Sequence, residues 1–415
     1  MRVTAPALVA AALATGAAIP ALGAGAAIGL QDDRMAATSA QDIPTRLEML
    51  KATKTKISRV DLFWATAAPT RPANDRDHTD PAYDWSWADA TLCGMVGAGI
   101  QPIVTVWNAP GWATGGARGI KGVVWNSKAP KKARDFADFM YALSKRYNGR
   151  TEIPGRGKCQ VNFYEIWNEP NLQIYLYPQY KGKRPLAGRK YVQMANLATP
   201  QIKKANRRAT VITGVTGPKG RSDRSGRGTL DWIRDLRRYG LRPGSDYSQH
   251  IYPSAPPLKK TKAFPAWDTL DEITDEVNRL RGGKRKRIYI TEASYTTATT
   301  PYRKVKFTKR QQATYMKQIF RVPFVRSKRV RAVIWFNLQD NVNWPGGLLT
   351  DAGTKKPSYR SFQQMVRSKR PTGNLRVPRS VQRRVTQPAV PAGWPSPRWR
   401  RTRPWTRPCR EAWRH

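Results

Sequence analysis

Between residues 26 and 366 the chain repeats one alternation: a short β-branched run ending in polar or aromatic residues, then a longer stretch with apolar residues three and four apart. Eight units can be counted, with strands expected at 26–33, 56–64, 101–109, 161–169, 210–217, 247–253, 287–294 and 331–338. Helical spacing falls between them, at 87–99, 133–147, 189–206, 229–240, 270–282 and 309–325. Strict strand-helix alternation demands a parallel sheet, either closed into a barrel or doubly wound. A doubly wound sheet opens with a glycine-rich phosphate turn, and "LQDDRMA" after the first strand has none. Polar and aromatic residues instead gather at strand C-terminal ends: Asp32, Arg59, Trp107, Asn108, Asn168, Glu169, His250, Tyr252, Glu292 and Trp335. The expected architecture is therefore an α/β (β/α)8 TIM barrel over 26–366, with its chemistry at one mouth.

The two ends read differently. Residues 1–25 carry one Arg ahead of an Ala/Leu/Val run that Pro and Gly interrupt, the pattern of a cleaved secretory signal, with an uncleaved anchor as the alternative. No later segment reaches eighteen apolar residues, so no span is expected after cleavage. Residues 367–415 are rich in Arg, Pro and Trp without period, and from Pro371 onward hold eleven Arg against one Glu. Such a tail cannot bury a core and is expected to be disordered, as a binding tail or as a reading frame continued past its natural stop.

The net charge of +46 is scattered in short clusters such as "KRKR" at 284–287. That pattern favours loose attraction to anionic polymers, and no nucleic-acid module accompanies it. Three histidines, and Cys93, Cys159 and Cys409 at no metal-ligand spacing, leave no expected metal or cofactor. Cys93 and Cys159 are read as either a disulfide or buried free thiols.

Two glutamates close strands at the same relative height, Glu169 after the fourth and Glu292 after the seventh. A pair of carboxyl groups converging above a barrel is what glycosidic bond cleavage needs: one protonates the leaving oxygen, the other attacks or activates water at the anomeric carbon. Neighbouring residues suit that chemistry. Asn168 can bond a sugar hydroxyl, Tyr252 can donate to Glu292, Arg59 can supply positive charge or act as a structural ion-pair partner, and Trp335 can offer a face to a pyranose ring. Trp107 and Asn108, ending the third strand, complete the expected substrate-binding set with His250. Asp32 and Asp33 are read as substrate contacts or Arg59 partners, and Glu165 as a buried partner for a basic group. Trp64, Trp112 and Trp344 are read as sugar platforms or loop packing.

"WNEPN" (167–171) followed by "ITEAS" (290–294), with "HIYP" (250–253) and "VIWFNL" (333–338), resembles glycoside hydrolase clan A, most closely its families 5 and 39. The resemblance implies Glu169 as general acid/base and Glu292 as nucleophile, Asn168 on the substrate 2-hydroxyl, Tyr252 orienting the nucleophile, and His250 buttressing the acid/base. Arg59 and Trp335 match the Arg after strand two and the Trp after strand eight. Asn108 departs from the His that many family 5 members carry.

The expected protein is a secreted or cell-surface monomeric retaining O-glycoside hydrolase acting on a polysaccharide or oligosaccharide, for which the positive charge makes an acidic polymer one option. Long aromatic loops after strands three and four suit an open cleft. A non-catalytic carbohydrate-binding barrel is the alternative, and specific nucleic-acid binding is not expected.

Overall fold

The computed structural model describes residues 26–116, 126–261, 264–301 and 303–367. The expected signal segment, the tail beyond 367, Cys409 and residues 117–125 of the loop after the third strand lie outside the described residues.

Eight parallel strands close into a barrel: β1 (Ala27–Gln31), β2 (Ile57–Phe63), β3 (Gln101–Trp107), β4 (Phe163–Ile166), β5 (Thr210–Thr216), β6 (Asp246–Ile251), β7 (Ile288–Ala293) and β8 (Val330–Phe336). β1 pairs with both β2 and β8, which completes the circle. Six strands fall inside their expected windows and β6 and β8 begin one residue before theirs, because continuous β-branched runs bounded by helical spacing have few other folds open to them.

The outer ring consists of α1 (Ile43–Ala52), α2 (residues 86–97), α3 (Ala133–Arg146), α4 (Ala187–Ala205), α5 (Thr229–Arg238), α6 (Leu270–Asn278), α7 (Lys309–Ile319) and α8 (Pro357–Arg367). α2 contains a π turn at Asp89–Cys93. Its Asp89 takes two hydrogen bonds from Arg146 and one from Tyr147. α3 buries Phe136, Phe139, Met140 and Leu143, three and four apart, against the sheet. α7 starts at a reciprocal cap, Thr308 accepting from Gln311 N–H while the Gln311 side chain accepts from Thr308 N–H.

A hairpin, Asn148–Ile153 with Gly157–Gln160, precedes β4, and a two-residue one, Tyr180–Lys181 with Arg184–Pro185, lies in the loop after β4. Neither is among the expected strands; both are too short to show a period. Cys93 and Cys159 are buried free thiols. Among the described residues no helix is long and apolar enough to cross a membrane.

Candidate active site

Alternation along the strands stacks the barrel interior in layers. Ala27, Ile57, Ile103, Phe163, Ile212, Tyr289, Ala332 and Ile334 form a closed apolar plug at the bottom. Two residues further on, β2, β3 and β4 bring Arg59, Thr105 and Glu165 into one buried polar layer. Two further again stand Asp61 and Trp107, at the mouth.

Arg59 is wholly buried and organises everything above the plug. Its Nε donates to Glu165 Oε2 (2.9 Å), its Nη1 to Glu292 Oε1 (2.6 Å) and Gln31 Oε1 (2.8 Å), and its Nη2 to Asn168 Oδ1 (2.7 Å). Thr105 Oγ1 also donates to Glu165 Oε2, at 2.6 Å. Glu165 is thus a buried partner for a basic group. Asn168, its carbonyl oxygen held from below, keeps its amide N–H groups without protein acceptors among the described residues.

Glu292 is fixed from two sides, since Tyr252 Oη donates to its Oε2 at 2.5 Å while Arg59 holds Oε1. Glu169 sits differently. Its Oε1 lies 2.7 Å from His250 Nδ1, and His250 Nε2 lies 3.2 Å from Thr291 Oγ1. An oxygen of Glu169, an oxygen of Glu292 and a His250 ring nitrogen all fall within 4.8 Å of one another.

Asp61, Glu169 and Glu292 lie in the field of one guanidinium in a water-poor site, and burial with neighbouring like charge disfavours their ionised forms. Burial pushes the Glu169 carboxyl up to about 8, with Arg59 opposing and Asp61 adding. Burial pushes Glu292 up to about 7, opposed by His250 and Arg59 and reinforced by Glu169 and Asp61. His250 is held below the usual histidine range by burial, so the neutral imidazole faces Glu169. The backbone is strained at the same strand tips, with φ of +59° at Asn108, +67° at Trp167 and +39° at Glu169. Strain of this kind persists where the surroundings over-determine a functional geometry.

Glu169, His250 and Glu292 are also the one cluster with metal-ligand types and spacing among the described residues. Their facing atoms already bond Arg59, Tyr252 and one another, and the buried guanidinium occupies the position from which a cation would neutralise Glu292.

Two aromatic walls flank the carboxylates. Phe63, Trp107 and Tyr175 pack edge to face on one side, with centroid distances of 5.1 and 5.3 Å. Tyr252, Trp344 and Phe336 form the other, Tyr252 lying 4.4 Å from Trp344 and 6.1 Å from Phe336.

Several solved structures share this architecture. A family 39 glycoside hydrolase from Bacteroides cellulosilyticus WH2 superposes with TM-score 0.55 at 18% identity over 82% of this chain and 63% of that one. A monomeric beta-xylosidase from Caulobacter crescentus CB15 gives 0.57 at 17% identity, over 82% and 69%. A glucosidase from Croceicoccus marinus gives 0.59 at 12% identity, over 83% and 67%. The chain shares its (β/α)8 barrel fold with these glycoside hydrolases. The chain spans less than two thirds of the family 39 enzyme's length. No family model and no curated protein matches it.

The barrel brings together Arg59, Asn168, Glu169, His250, Tyr252 and Glu292 by direct hydrogen bonds. Trp107 reaches the mouth and donates its indole N–H to Asp61 Oδ1 (3.0 Å). Asn108 is spent on its loop instead, accepting from Asn126 N–H at 2.8 Å. Trp335 is not in the cleft: it is 1% exposed, packs in the outer core and donates to Gly346 O at 2.9 Å. The reason is phase, since Ile334 and Phe336 face inward and their neighbour must face out. Trp344 takes the place expected of Trp335, its indole fixed to Ser294 Oγ at 2.8 Å. Trp64 and Trp112 prove to be loop packing in a cluster with Phe136 and Phe139. Asp32 is taken by Arg46 in a two-pronged pair, and Asp33 is bonded by Asn341, so neither is an Arg59 hydrogen-bond partner.

The sequence reading passed over Asp61, Gln31 and Phe336. Period two from Arg59 and from Ile334 would have found Asp61 and Phe336. Gln31 shows no signal beyond its position at a strand end.

Gly217, just past β5, makes room for the acidic pair. A Cβ there would stand 2.9 Å from Glu169 Cδ, well inside contact distance. Gly217→Ala is expected to displace the Glu169 carboxyl and cut kcat about 10–100-fold with little loss of folded protein, the scale of a misplacement near 1 Å. Turnover and far-UV circular dichroism on the same preparation check this.

Proposed function

We propose that the chain is a retaining O-glycoside hydrolase, exported and monomeric, that cleaves polysaccharides or oligosaccharides through a glycosyl-enzyme intermediate. The observation that carries this reading is the approach of Glu169 and Glu292, whose nearest oxygens lie within 4.8 Å. Retaining enzymes hold their carboxyl groups about 5–5.5 Å apart, whereas inverting enzymes leave about 6.5–9.5 Å for a water.

Environment distributes the two roles. Glu292 accepts a charge-assisted bond from Arg59 and another from Tyr252, and both favour its anion. It is the nucleophile. Glu169 faces a neutral imidazole and keeps its proton to higher pH, so it protonates the leaving oxygen. Once the leaving group departs, Glu169 is a carboxylate and takes a proton from the incoming water, which releases the sugar from Glu292. Asn168 offers its amide N–H groups to a sugar hydroxyl.

The mouth also narrows the substrate. Asp61, Glu169 and Glu292 gather at the reacting position with Asp33 close to Asp61, and the Arg59 guanidinium among them is committed to protein acceptors, as are Arg34 and Arg303 at its edges. A uronic acid would meet like charge there, so the reacting sugar is a neutral one held between the aromatic walls. Export rests on the signal pattern of residues 1–25.

Release of reducing sugar from a panel of neutral and acidic glycans, followed by trapping with a fluorinated glycoside and peptide mass spectrometry, tests the proposal. Label on Glu292 is expected. Glycan binding without hydrolysis would replace the enzyme by a carbohydrate-binding barrel, and label on another residue would overturn the assigned nucleophile. Light scattering on the secreted product tests export and the monomer together.

Because kcat/KM requires Glu292 ionised and Glu169 protonated, it should rise as pH passes about 7 and fall as it passes about 8. The two limbs are properties of the coupled pair. A pH profile on an unactivated substrate checks this, and an optimum near 5 would show that burial does not tune these carboxyls.

A further inference from the structure

At the opposite end of the barrel a cavity of about 290 Å³ opens between the N-terminal ends of β5, β6 and β7. It is lined by Lys203 from the end of α4, by Ser245 and Asp246 entering β6, and by Gly282, Arg285 and Lys286 entering β7. Lys286 is 3% exposed, and its Nζ donates to Ser245 O (2.6 Å) and Ser245 Oγ (3.2 Å). An ammonium group has three N–H donors, so one has no protein acceptor among the described residues. The Lys203 ammonium donates to Ala209 O. The only carboxylate lining the cavity, Asp246, accepts from Arg287 N–H at 2.8 Å, and among the described residues none of the three cations lies within ion-pair distance of an acid.

A buried ammonium with a spare donor and no acid at ion-pair distance is costly, Asp246 acting on it only from further away, and such groups are retained where something pairs with them. Burial pushes Lys286 down to about 8 and lowers Lys203 as well, with Asp246 opposing in both cases. The lip is shaped for the purpose: Gly282 holds φ +70°, a left-handed conformation that lets the loop turn back beside Pro243. Three basic runs, "KKANRR" (203–208), "KRKR" (284–287) and "KRVR" (328–331), precede β5, β7 and β8, so the same end of the barrel is strongly positive while the catalytic mouth is acidic. Pockets for small ligands begin near about 300 Å³, which leaves room for an oxyanion with a short substituent. Two lysines and an arginine, one from the end of α4 and two from the segment entering β7, suit a tetrahedral group with several acceptor oxygens better than a planar carboxylate.

We propose that this cavity binds a phosphate group, free or carried on a phosphate ester, with Lys203, Arg285 and Lys286 as its cationic partners. The site is independent of the catalytic cleft and of the activity assigned to it.

Isothermal titration of the full chain with inorganic phosphate, glycerol phosphate, acetate and, at matched ionic strength, sodium chloride tests the proposal. Saturable binding of one or both phosphates is expected, with acetate and chloride giving none. Tighter binding of glycerol phosphate would identify an ester as the source, and the reverse a free anion. Lys203→Gln and Arg285→Gln should each weaken binding at least tenfold. Arg285 is exposed, so its replacement does not endanger the fold. The Arg-rich C-terminal segment is common to all variants and its contribution cancels. Equal binding by wild type and both variants, or equal heats from chloride, would overturn the site.

Discussion

Replacing Glu292 by Gln lowers kcat/KM on the best glycan substrate by about five to six orders of magnitude, the scale seen when a covalent nucleophile is removed. The amide preserves shape and accepts from Arg59 or Tyr252 through one oxygen, so binding survives. What it lacks is a charge to attack the anomeric carbon and to stabilise the developing oxocarbenium ion. Glu169→Gln should cost less, about 10²–10⁴-fold, because it removes acid-base assistance and leaves the nucleophile. That cost should shrink for substrates with a good leaving group, whose departure needs no proton. Steady-state rates on activated and unactivated glycosides, with glycan affinity measured in parallel, separate the two roles. A small loss in Glu292→Gln would remove Glu292 from the chemistry.

Arg59→Met should destabilise the fold by about 3–5 kcal/mol, the usual cost of breaking a buried charge network by removing one partner. Arg59 contacts Glu165, Glu292, Asn168, Gln31 and Asp61, and among the described residues no other Lys or Arg pairs with these acids. Glu165 already has one oxygen without a partner and would lose a second bond. The sign of the pH dependence follows from Glu292, which burial already holds up at about 7. Without the guanidinium it keeps its proton more tightly, so this part of the deficit is small at pH 5, where Glu292 is neutral in both proteins, and grows as pH rises through 7. Urea unfolding of both proteins at pH 5 and pH 8 measures this, and an equal deficit at the two values would mean lost packing rather than lost charge. Arg59→Lys should fall between, because a point-like ammonium cannot span acceptors that a planar fork reaches together.

Much of this was legible before any coordinates. The strand windows and the ends bearing chemistry followed from local periodicity, because a parallel barrel writes its repeat directly into hydrophobic spacing. Glu169 and Glu292 were legible because carboxylates are scarce in so basic a chain and both close strands. Trp335 misled because a strand-end aromatic looks the same in sequence whether it faces in or out, and only the phase set by Ile334 and Phe336 separates the two. Asp61 went unremarked although it stands in phase with Arg59 and nearer the mouth, because an acid inside a β-branched run carries no signal of what it faces.

By itself, then, the sequence determined the (β/α)8 architecture and the two carboxylates at its mouth, since both depend on patterns carried by neighbouring residues. The tertiary structure alone decided which acceptors Arg59 holds as a buried hub, that Trp344 replaces Trp335 in the aromatic wall, and that Glu169 faces His250 while Glu292 is held by Arg59 and Tyr252. Those depend on which side chains from distant strands share one low-dielectric space. Hydrogen bonding and desolvation act through distance, and barrel closure sets the distances.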